Sequence, residues 1–238
     1  MRDGGFSDWF EFEEILERSS ISKASVGERK IVGLLFMRKG QKITDAEILP
    51  SLNYFNFRSG QTDFVLAGWK NTVGSENPGW SFDEKAFVKA CDVISGNTKW
   101  RYEGGTELLL FEARKGEEKV SETKKRSNAS RSIYIDFSNA ITIHLDTMMQ
   151  KVSETPQVIF ERIFRFARNY KGGSPLQGLS LQEARVSAAA AVVQSVIGYL
   201  PKEVKDQLEY ARQFGVKDIS GPSKDEMKVT QRHEGWFH

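Results

Sequence analysis

The sequence predicts an α+β protein in which an antiparallel sheet of about seven strands, built from hairpins, precedes a C-terminal bundle of three helices. Short apolar runs separated by glycine-containing turns fill the first two-thirds of the 238 residues, a pattern typical of paired strands. The last third repeats its apolar residues with helical spacing. We therefore predict an α+β sheet domain at residues 1–150, a helical bundle packed on it at 151–216, and a polar tail at 217–238.

Composition and charge indicate an ordinary globular protein, with 39% hydrophobic and 28% charged residues. The 34 basic and 32 acidic side chains leave a formal net charge of +2, so any attraction for a polyanion must be local. The single cysteine, Cys91, excludes an intramolecular disulfide and fits a reducing cytoplasm. The N-terminal segment lacks the apolar core of a signal peptide, and the most apolar stretch, 186–200, is shorter than a membrane span. We expect a cytoplasmic protein without membrane contact.

The first elements are a helix, a strand and a second, short helix. Residues 7–18 place apolar side chains on one helical face and glutamates opposite, with Ser7 as a suitable N-cap. The continuous apolar run 29–37 predicts a buried strand. Thr44-Asp45-Ala46-Glu47 matches a capping box, and Pro50 should end the helix that it opens.

The segment YFNFRSGQTDFVLAGW, residues 54–69, predicts a hairpin with its Gly-Gln pair as a type II′ turn. This register sets Phe57 opposite Phe64 on the apolar face and Arg58 opposite Asp63 on the polar face. The polar centre is then a structural cross-strand ion pair worth about 0.2–1 kcal/mol. A functional role for Arg58 or Asp63 is the alternative.

The middle of the chain predicts one helix and two further hairpins. A second capping box, Ser81-Phe82-Asp83-Glu84, opens a helix that runs to about residue 95. Gly104-Gly105 suits the turn of a hairpin whose second strand carries the apolar run Leu108 to Phe111. After a charged loop at 115–131, two alternating segments predict a third hairpin around a loop at Ser138 to Ala140.

The last third predicts three helices. Thr155-Pro156 is an N-cap followed by proline at the first helical position, opening a helix to about Tyr170. A third capping box opens a nearly all-apolar helix over 181–200, which should be buried. Pro201 ends it and starts the last helix, which reaches Phe214.

A row of cations on the predicted helix at 156–171 is the first candidate site. Arg162, Arg165, Arg168 and Lys171 recur every third residue beside an apolar side. Arginine offers a planar fork of donors that suits phosphate, so the row predicts a phosphate-binding surface. A solvated basic face is the structural alternative.

Carboxylates on predicted strands are the second candidate. Asp63 and Glu112 could hold Mg²⁺ through their oxygens, with Arg114 nearby to steady the attacking water or a phosphate. The segment LLLFEARK resembles the acidic-x-basic strand of restriction-endonuclease-like nucleases, with Arg114 in place of the usual lysine. This resemblance implies a metal-dependent nuclease, whereas ordinary charges at a strand end are the structural alternative.

Other catalytic chemistries lack their motifs. Cys91 lies on the apolar face of its predicted helix, where a small buried residue is the default interpretation, and only three histidines accompany it. The sequence contains no P-loop, dinucleotide-binding glycine motif, nucleophile elbow or zinc-protease motif. A zinc site is not expected either.

Two hypotheses of different classes follow. The leading one is a non-catalytic, cytoplasmic protein-interaction or regulatory module, part of a larger assembly or a homo-oligomer, with Trp236 and Phe237 as aromatic anchors. The alternative is a nucleic-acid-binding protein or metal-dependent nuclease that uses the basic helix and the strand carboxylates. Mg²⁺ is a cofactor only under the alternative, and the sequence leaves open whether any reaction is catalysed.

Overall fold

Two continuous apolar runs in the sequence become central strands that are buried on both faces, as strands covered by helices on each side must be. The computed structural model describes residues 2–4, 6, 9–18, 20–59, 63–72, 79–116, 133–169 and 204–219. Its strands are β1 (Arg2–Gly4), β2 (Arg29–Phe36), β3 (Asp63–Ala67), β4 (Trp69–Asn71), β5 (Trp80–Phe82), β6 (Glu107–Lys115), β7 (Ile133–His144) and β8 (Val216–Asp218). Its helices are α1 (Trp9–Glu17), α2 (Leu52–Ser59), α3 (Glu84–Ser95), α4 (Leu145–Val152), α5 (Pro156–Asn169) and α6 (Val204–Gln213).

The main sheet is mixed. Within the described ranges it has six strands in the order β1-β3-β2-β6-β7-β8. β1, β3 and β2 run parallel to one another, whereas β2, β6, β7 and β8 alternate in direction. β4 and β5 form a separate antiparallel ribbon. Helices and a sheet agree with the predicted α+β class, but the prediction of a purely antiparallel sheet is wrong.

Helices cover both faces of this sheet. On one side, Leu35, Leu108 and Ile143 share a buried cluster with residues of α2, α4, α5 and α6. On the other side, Leu34 and Phe111 share a cluster with residues of α1 and α3. We call the first side the α2–α5 face and the second the α1–α3 face. The two apolar clusters explain why the central strands show no polar alternation.

The hairpin predicted for residues 54–69 does not form. Leu52–Ser59 is helical, and Asp63–Ala67 is a strand that pairs in parallel with β1 and β2. Helical turns at Thr44–Ile48 and Leu49–Ser51 lead into α2, with Pro50 in the first turn of the second, where no N–H is needed. Thr44 is not an N-cap, because no side-chain bond caps this start.

The other two predicted hairpins are also wrong. Gly104-Gly105 precedes β6, which pairs with β2 and β7. β7 is one continuous strand from Ile133 to His144, with an irregularity in its register where the loop was expected. This irregularity sends Ile135 to the α1–α3 face and Ile143 to the α2–α5 face. Both sets are buried, so alternation alone could not distinguish a bulge from a turn.

Several boundaries come close to the prediction. α1 and β2 lie within one or two residues of the predicted segments, and α3 ends at Ser95 as expected. Asp83 rather than Ser81 caps α3, because its side chain accepts a hydrogen bond from the Ala86 amide at 3.1 Å. α5 begins at Pro156, as predicted.

The C-terminal region contributes to the main sheet. β8 pairs with β7, and Ile219 after it is buried, so the sheet is not confined to residues 1–150 and the first residues of the predicted tail, 217–219, belong to the folded domain. The predicted helix at 181–200 and its capping box lie outside the described residues. None of the helices in the described ranges combines the length and apolarity that crossing a bilayer requires.

Candidate functional site

Helix α2 exposes two aromatic side chains while it buries a third. Phe55 and Phe57 are two residues apart, and each helical residue turns the chain by about 100°, so their side chains point to nearly opposite sides. Phe55 is fully buried, whereas Phe57 is 81% exposed. Tyr54, three residues before Phe57, lies on the same side and is 44% exposed. We call Tyr54 and Phe57 the aromatic face of α2.

A hydrogen-bonded ion pair holds this helix against α5. Arg58 Nη2 donates to Glu161 Oε2 at 2.7 Å, and Arg58 Nε donates to Oε1, which completes a bidentate contact. The Tyr54 hydroxyl donates to the same carboxylate. The hydrogen bond to Glu161 raises the pKa of Tyr54 and of Arg58, so both keep their protons at neutral pH. Glu161 thereby fixes the orientation of the Tyr54 and Arg58 side chains.

The cross-strand register that predicted an Arg58–Asp63 pair is absent. Arg58 lies in the last turn of α2 and binds Glu161, whereas Asp63 opens β3 opposite Val32 and is 6% exposed. The opposite charge on α5 could not be found from sequence, because it lies 103 residues further along the chain.

The predicted basic row on α5 is only partly described. Ile163 and Phe164 are buried, as the amphipathic pattern predicts. Arg162 Nη2 binds Glu154 Oε1 at 3.0 Å, and Arg165 is exposed. The side chain of Arg168 and the whole of Lys171 lie outside the described part, as do Trp236 and Phe237. Phosphate binding by this row remains a prediction.

The predicted metal-binding carboxylates point away from each other. Asp63 pairs with Val32, which belongs to the α1–α3 face, whereas Glu112 pairs with Ile31, which belongs to the α2–α5 face. Residues paired in a strand register share a side of the sheet, so the two carboxylates project from opposite faces. Within the described ranges, no group of three or more His, Cys, Asp or Glu side chains could hold a metal ion. Asp63 and Glu112 therefore do not form a shared Mg²⁺ site.

Glu112 instead belongs to a charge cluster on the sheet. Arg29 Nη1 lies 2.8 Å from Glu112 Oε2 and 3.4 Å from Asp136 Oδ2, so one guanidinium joins β2, β6 and β7. The Glu112 side chain is only 10% exposed. Arg114 stacks over the ring of Tyr134 with 5.2 Å between Cζ and the ring centre. These contacts favour a structural role for both residues.

We expect Arg29→Gln to lower the free energy of unfolding by about 1–3 kcal/mol, because it removes the opposite charge of Arg29 from the largely buried Glu112 carboxylate. Lys30→Gln is the matched control on the same strand. Lys30 Nζ lies 3.8 Å from the more exposed Glu28, and such a surface pair contributes about 0–1 kcal/mol. Urea denaturation followed by circular dichroism measures both variants. Equal losses would contradict the structural role of Arg29.

The thiol of Cys91 is not activated. It is half-buried on α3, and desolvation raises its pKa to about 12. A nucleophilic cysteine needs the opposite shift, because the thiolate is the reactive form. This agrees with the interpretation of Cys91 as a small apolar residue.

A polar cluster that the sequence did not reveal lies at one end of the sheet, on the α1–α3 face. Glu107 on β6 is fully buried, and its carboxylate accepts hydrogen bonds from Trp100 Nε1 at 2.7 Å and from the Glu103 amide at 2.8 Å. His144 on β7 stands opposite Glu107 in the register. Lys217 on β8 binds Glu103 with Nζ–Oε distances of 2.7 and 2.8 Å. We call Glu103, Glu107, His144 and Lys217 the β8 cluster.

Burial and one ion pair shift the pKa values of this cluster. Desolvation raises the pKa of Glu107 and lowers that of His144. The bond to Lys217 lowers the pKa of Glu103. In the sequence, Glu107 looks like the start of an apolar run and His144 like the polar side of an alternating strand. Only the pairing of β6 with β7 brings them together.

Comparison with protein-family models, with curated proteins and with solved structures found no match to this chain.

Proposed function

We propose that the protein is a non-catalytic, cytoplasmic protein-interaction or regulatory module that works as part of a larger assembly, and that the aromatic face of α2 contacts the partner. The observation that carries this proposal is the 81% exposure of Phe57, with Tyr54 beside it at 44%. Aromatic side chains that become buried at an interface dominate binding energies. Among the described residues, the Phe57 ring adds little to the packing of the domain, and Tyr54 beside it extends the exposed apolar surface into a patch of the kind that marks interaction sites.

The setting of Phe57 favours a preorganised contact. Phe55 packs α2 against α5, with its ring centre 4.6 Å from that of Phe160. The bidentate Arg58–Glu161 pair also joins these two helices. A rigid aromatic side chain loses little conformational entropy on binding, which increases the affinity obtained from a small contact. Arg58 and Glu161 would then form part of the polar rim around the contact.

The groups considered for chemistry support a non-catalytic role. Glu112 is bound to Arg29, and Asp63 projects from the other face of the sheet. The thiol of Cys91 stays protonated at neutral pH because its pKa is raised to about 12. None of these residues presents an activated nucleophile or a pair of convergent carboxylates.

The test is affinity capture with full-length protein from its native source, followed by binding measurements with the purified partner. We expect Phe57→Ala to weaken binding by about 2 kcal/mol, or about thirtyfold, as at an interface hot spot. Val88→Ala is the matched control, since Val88 is 43% exposed but lies on α3, across the sheet. Sedimentation of the same variants shows whether the partner is a second copy of the chain.

Two outcomes would overturn parts of this proposal. Unchanged affinity of Phe57→Ala for the captured partner would remove the aromatic face of α2 from the interface. Deleting residues 221–238 tests Trp236 and Phe237 separately and leaves β8 and Ile219 in place. Loss of binding only in that deletion would move the contact to the tail.

A further inference from the structure

One carboxylate in the β8 cluster faces two basic side chains from different strands. Glu103 Oε2 lies 2.7 Å from Lys217 Nζ on β8 and 3.7 Å from His144 Nε2 on β7. The other ring nitrogen of His144, Nδ1, lies 4.0 Å from Glu107 Oε1. Asp146 on α4 also acts on His144, as an attractive charge. The charged groups facing His144 are thus Glu103, Glu107, Asp146 and Lys217.

β8 and the turn before it cover His144. The His144 amide donates to the Gly215 carbonyl at 2.9 Å. Gly215 has a positive φ of 77°, and a Cβ built on it would lie 3.0 Å from the His144 carbonyl oxygen and 3.1 Å from His144 Cβ. The His144 side chain is 12% exposed. Separation of β8 from β7 would return the imidazole to water.

The attachment of β8 is short. The strand has three residues and pairs with β7 at Ile141, Thr142 and Ile143. Beyond the strand, the Ile219 amide donates to the Ala140 carbonyl at 3.0 Å, and the Lys99 amide donates to the Ile219 carbonyl at 3.2 Å. Short edge elements with few backbone bonds open locally at a lower free energy than central strands. β8 lies at the edge of the sheet beside β7, so a single added charge can shift the equilibrium between its docked and open states.

We propose that His144 is a pH-sensitive switch whose protonation weakens the docking of β8, and with it the attachment of the C-terminal segment, as the pH falls below neutrality. This proposal is independent of the aromatic face of α2. A proton on His144 places a second cation beside Glu103, where it competes with Lys217. Release of β8 takes the like charge of Lys217 away from the imidazolium and also returns the imidazolium to water. Both changes stabilise protonated His144, so protonation favours the open state.

The direction follows from linkage between protonation and opening. Burial, and then the charge of Lys217, hold the pKa of His144 below its ordinary value while β8 is docked. In the open state the imidazole returns towards an ordinary pKa of about 6.5. Docking is therefore strongest above that pH and is lost as the pH falls through it towards the docked-state pKa. At pH 5.5 the opening constant should rise by up to about tenfold.

Glu107 works in the opposite direction. Desolvation raises its pKa, so hydration on opening would lower that pKa, and acid would then favour the docked state. Glu107 keeps its bonds to Trp100 and to the Glu103 amide, neither of which comes from β8. We therefore expect His144 to dominate the pH dependence of β8 docking, and Glu107→Gln to retain that dependence.

Amide hydrogen exchange of the full-length chain between pH 7.5 and 5.5 tests the switch, with rates corrected for the intrinsic pH dependence of exchange. The protection factor of the Ile219 amide should fall by up to about tenfold, while that of Leu110 in central β6 stays constant. The fall should be absent in His144→Gln. A titration of the His144 imidazole by NMR in the wild-type protein provides a second measurement.

Three results would overturn the switch. Constant protection of Ile219 across this pH range would do so, as would an undiminished fall in His144→Gln. If that variant does not fold, the wild-type data still decide. A fall in Ile219 protection whose midpoint differs from the titration midpoint of His144 would assign the pH dependence to another group.

Discussion

Gly68→Ala should lower the free energy of unfolding by about 2–5 kcal/mol, one of two large losses that we expect in this protein. Gly68 joins β3 to β4 with a φ of 74°, a conformation that disfavours any residue with a Cβ. A Cβ there would also lie 2.6 Å from Phe87 Cβ and 2.9 Å from Phe87 Cα. α3 would have to move away from the sheet to make room for one methyl group.

Two hydrogen bonds of Gly68 hold its backbone close to Phe87, so the overlap with an alanine Cβ is not easily relieved. The Gly68 amide donates to the Gly4 carbonyl at 3.0 Å, and the Asp83 amide donates to the Gly68 carbonyl at 2.8 Å. Gly68 thus connects β1 to the residue that caps α3. Displacing α3 to relieve the overlap would strain one or both of these bonds, so the alanine variant loses packing or hydrogen bonding.

Gly40→Ala separates backbone strain from overlap. Gly40 has a similar positive φ of 91°, but a Cβ on it would meet no atom within 4 Å. Its loss should stay at about 1–2 kcal/mol, the contribution of the backbone conformation alone. Urea denaturation of both variants provides the comparison. If Gly68→Ala loses no more than Gly40→Ala, the close approach of α3 at Gly68 is wrong.

The sequence predicted the elements whose signals are local. α1, β2, α3 and the start of α5 lie within about two residues of where periodicity and proline placed them, although Asp83 rather than Ser81 caps α3. These signals depend on neighbours within a few residues, and they act whatever the rest of the fold does. In the described part of the chain, most helices and strands predicted before β7 are therefore confirmed as individual elements.

The sequence did not predict how the strands pair. Phe64 and Leu66 fit a hairpin partner before them as well as they fit the parallel neighbours β1 and β2. Alternation reports which residues share a face but not which strand lies beside them. For residues 54–59, the pattern of aromatic residues also fits a helix that buries Phe55 and exposes Tyr54 and Phe57. The register that would have paired Arg58 with Asp63 failed for this reason.

The candidate sites also divide into features that follow from local sequence and features that depend on the folded sheet. The exposure of Phe57 could not be predicted, because the assigned hairpin placed Phe57 in the core. The β8 cluster depends on three strands that meet only in the folded sheet, with Lys217 in a segment assigned to a polar tail. Conversely, the burial of Ile163 and Phe164 was predictable because it follows from helical periodicity alone.

Phe55→Ala should lower the free energy of unfolding by about 3–5 kcal/mol, the second of the two large effects. The Phe55 ring is fully buried between α2 and α5, with its centre 4.6 Å from that of Phe160 and 6.3 Å from that of Phe164. Its removal leaves a cavity that these two large rings cannot fill without shifting α5. Urea denaturation followed by tryptophan fluorescence and circular dichroism measures the loss.

Phe57→Ala is the control for this loss, since it removes the same ring two residues later in the same helix. Phe57 is 81% exposed, so its replacement should change stability by no more than about 0.5 kcal/mol. The hairpin register would instead bury Phe57 and give both variants core-like losses. Equal destabilisation by the two variants would therefore support the hairpin register and contradict the exposure of Phe57 on α2. A large loss for Phe55→Ala alone makes Phe57 available for a partner, because the fold does not depend on it.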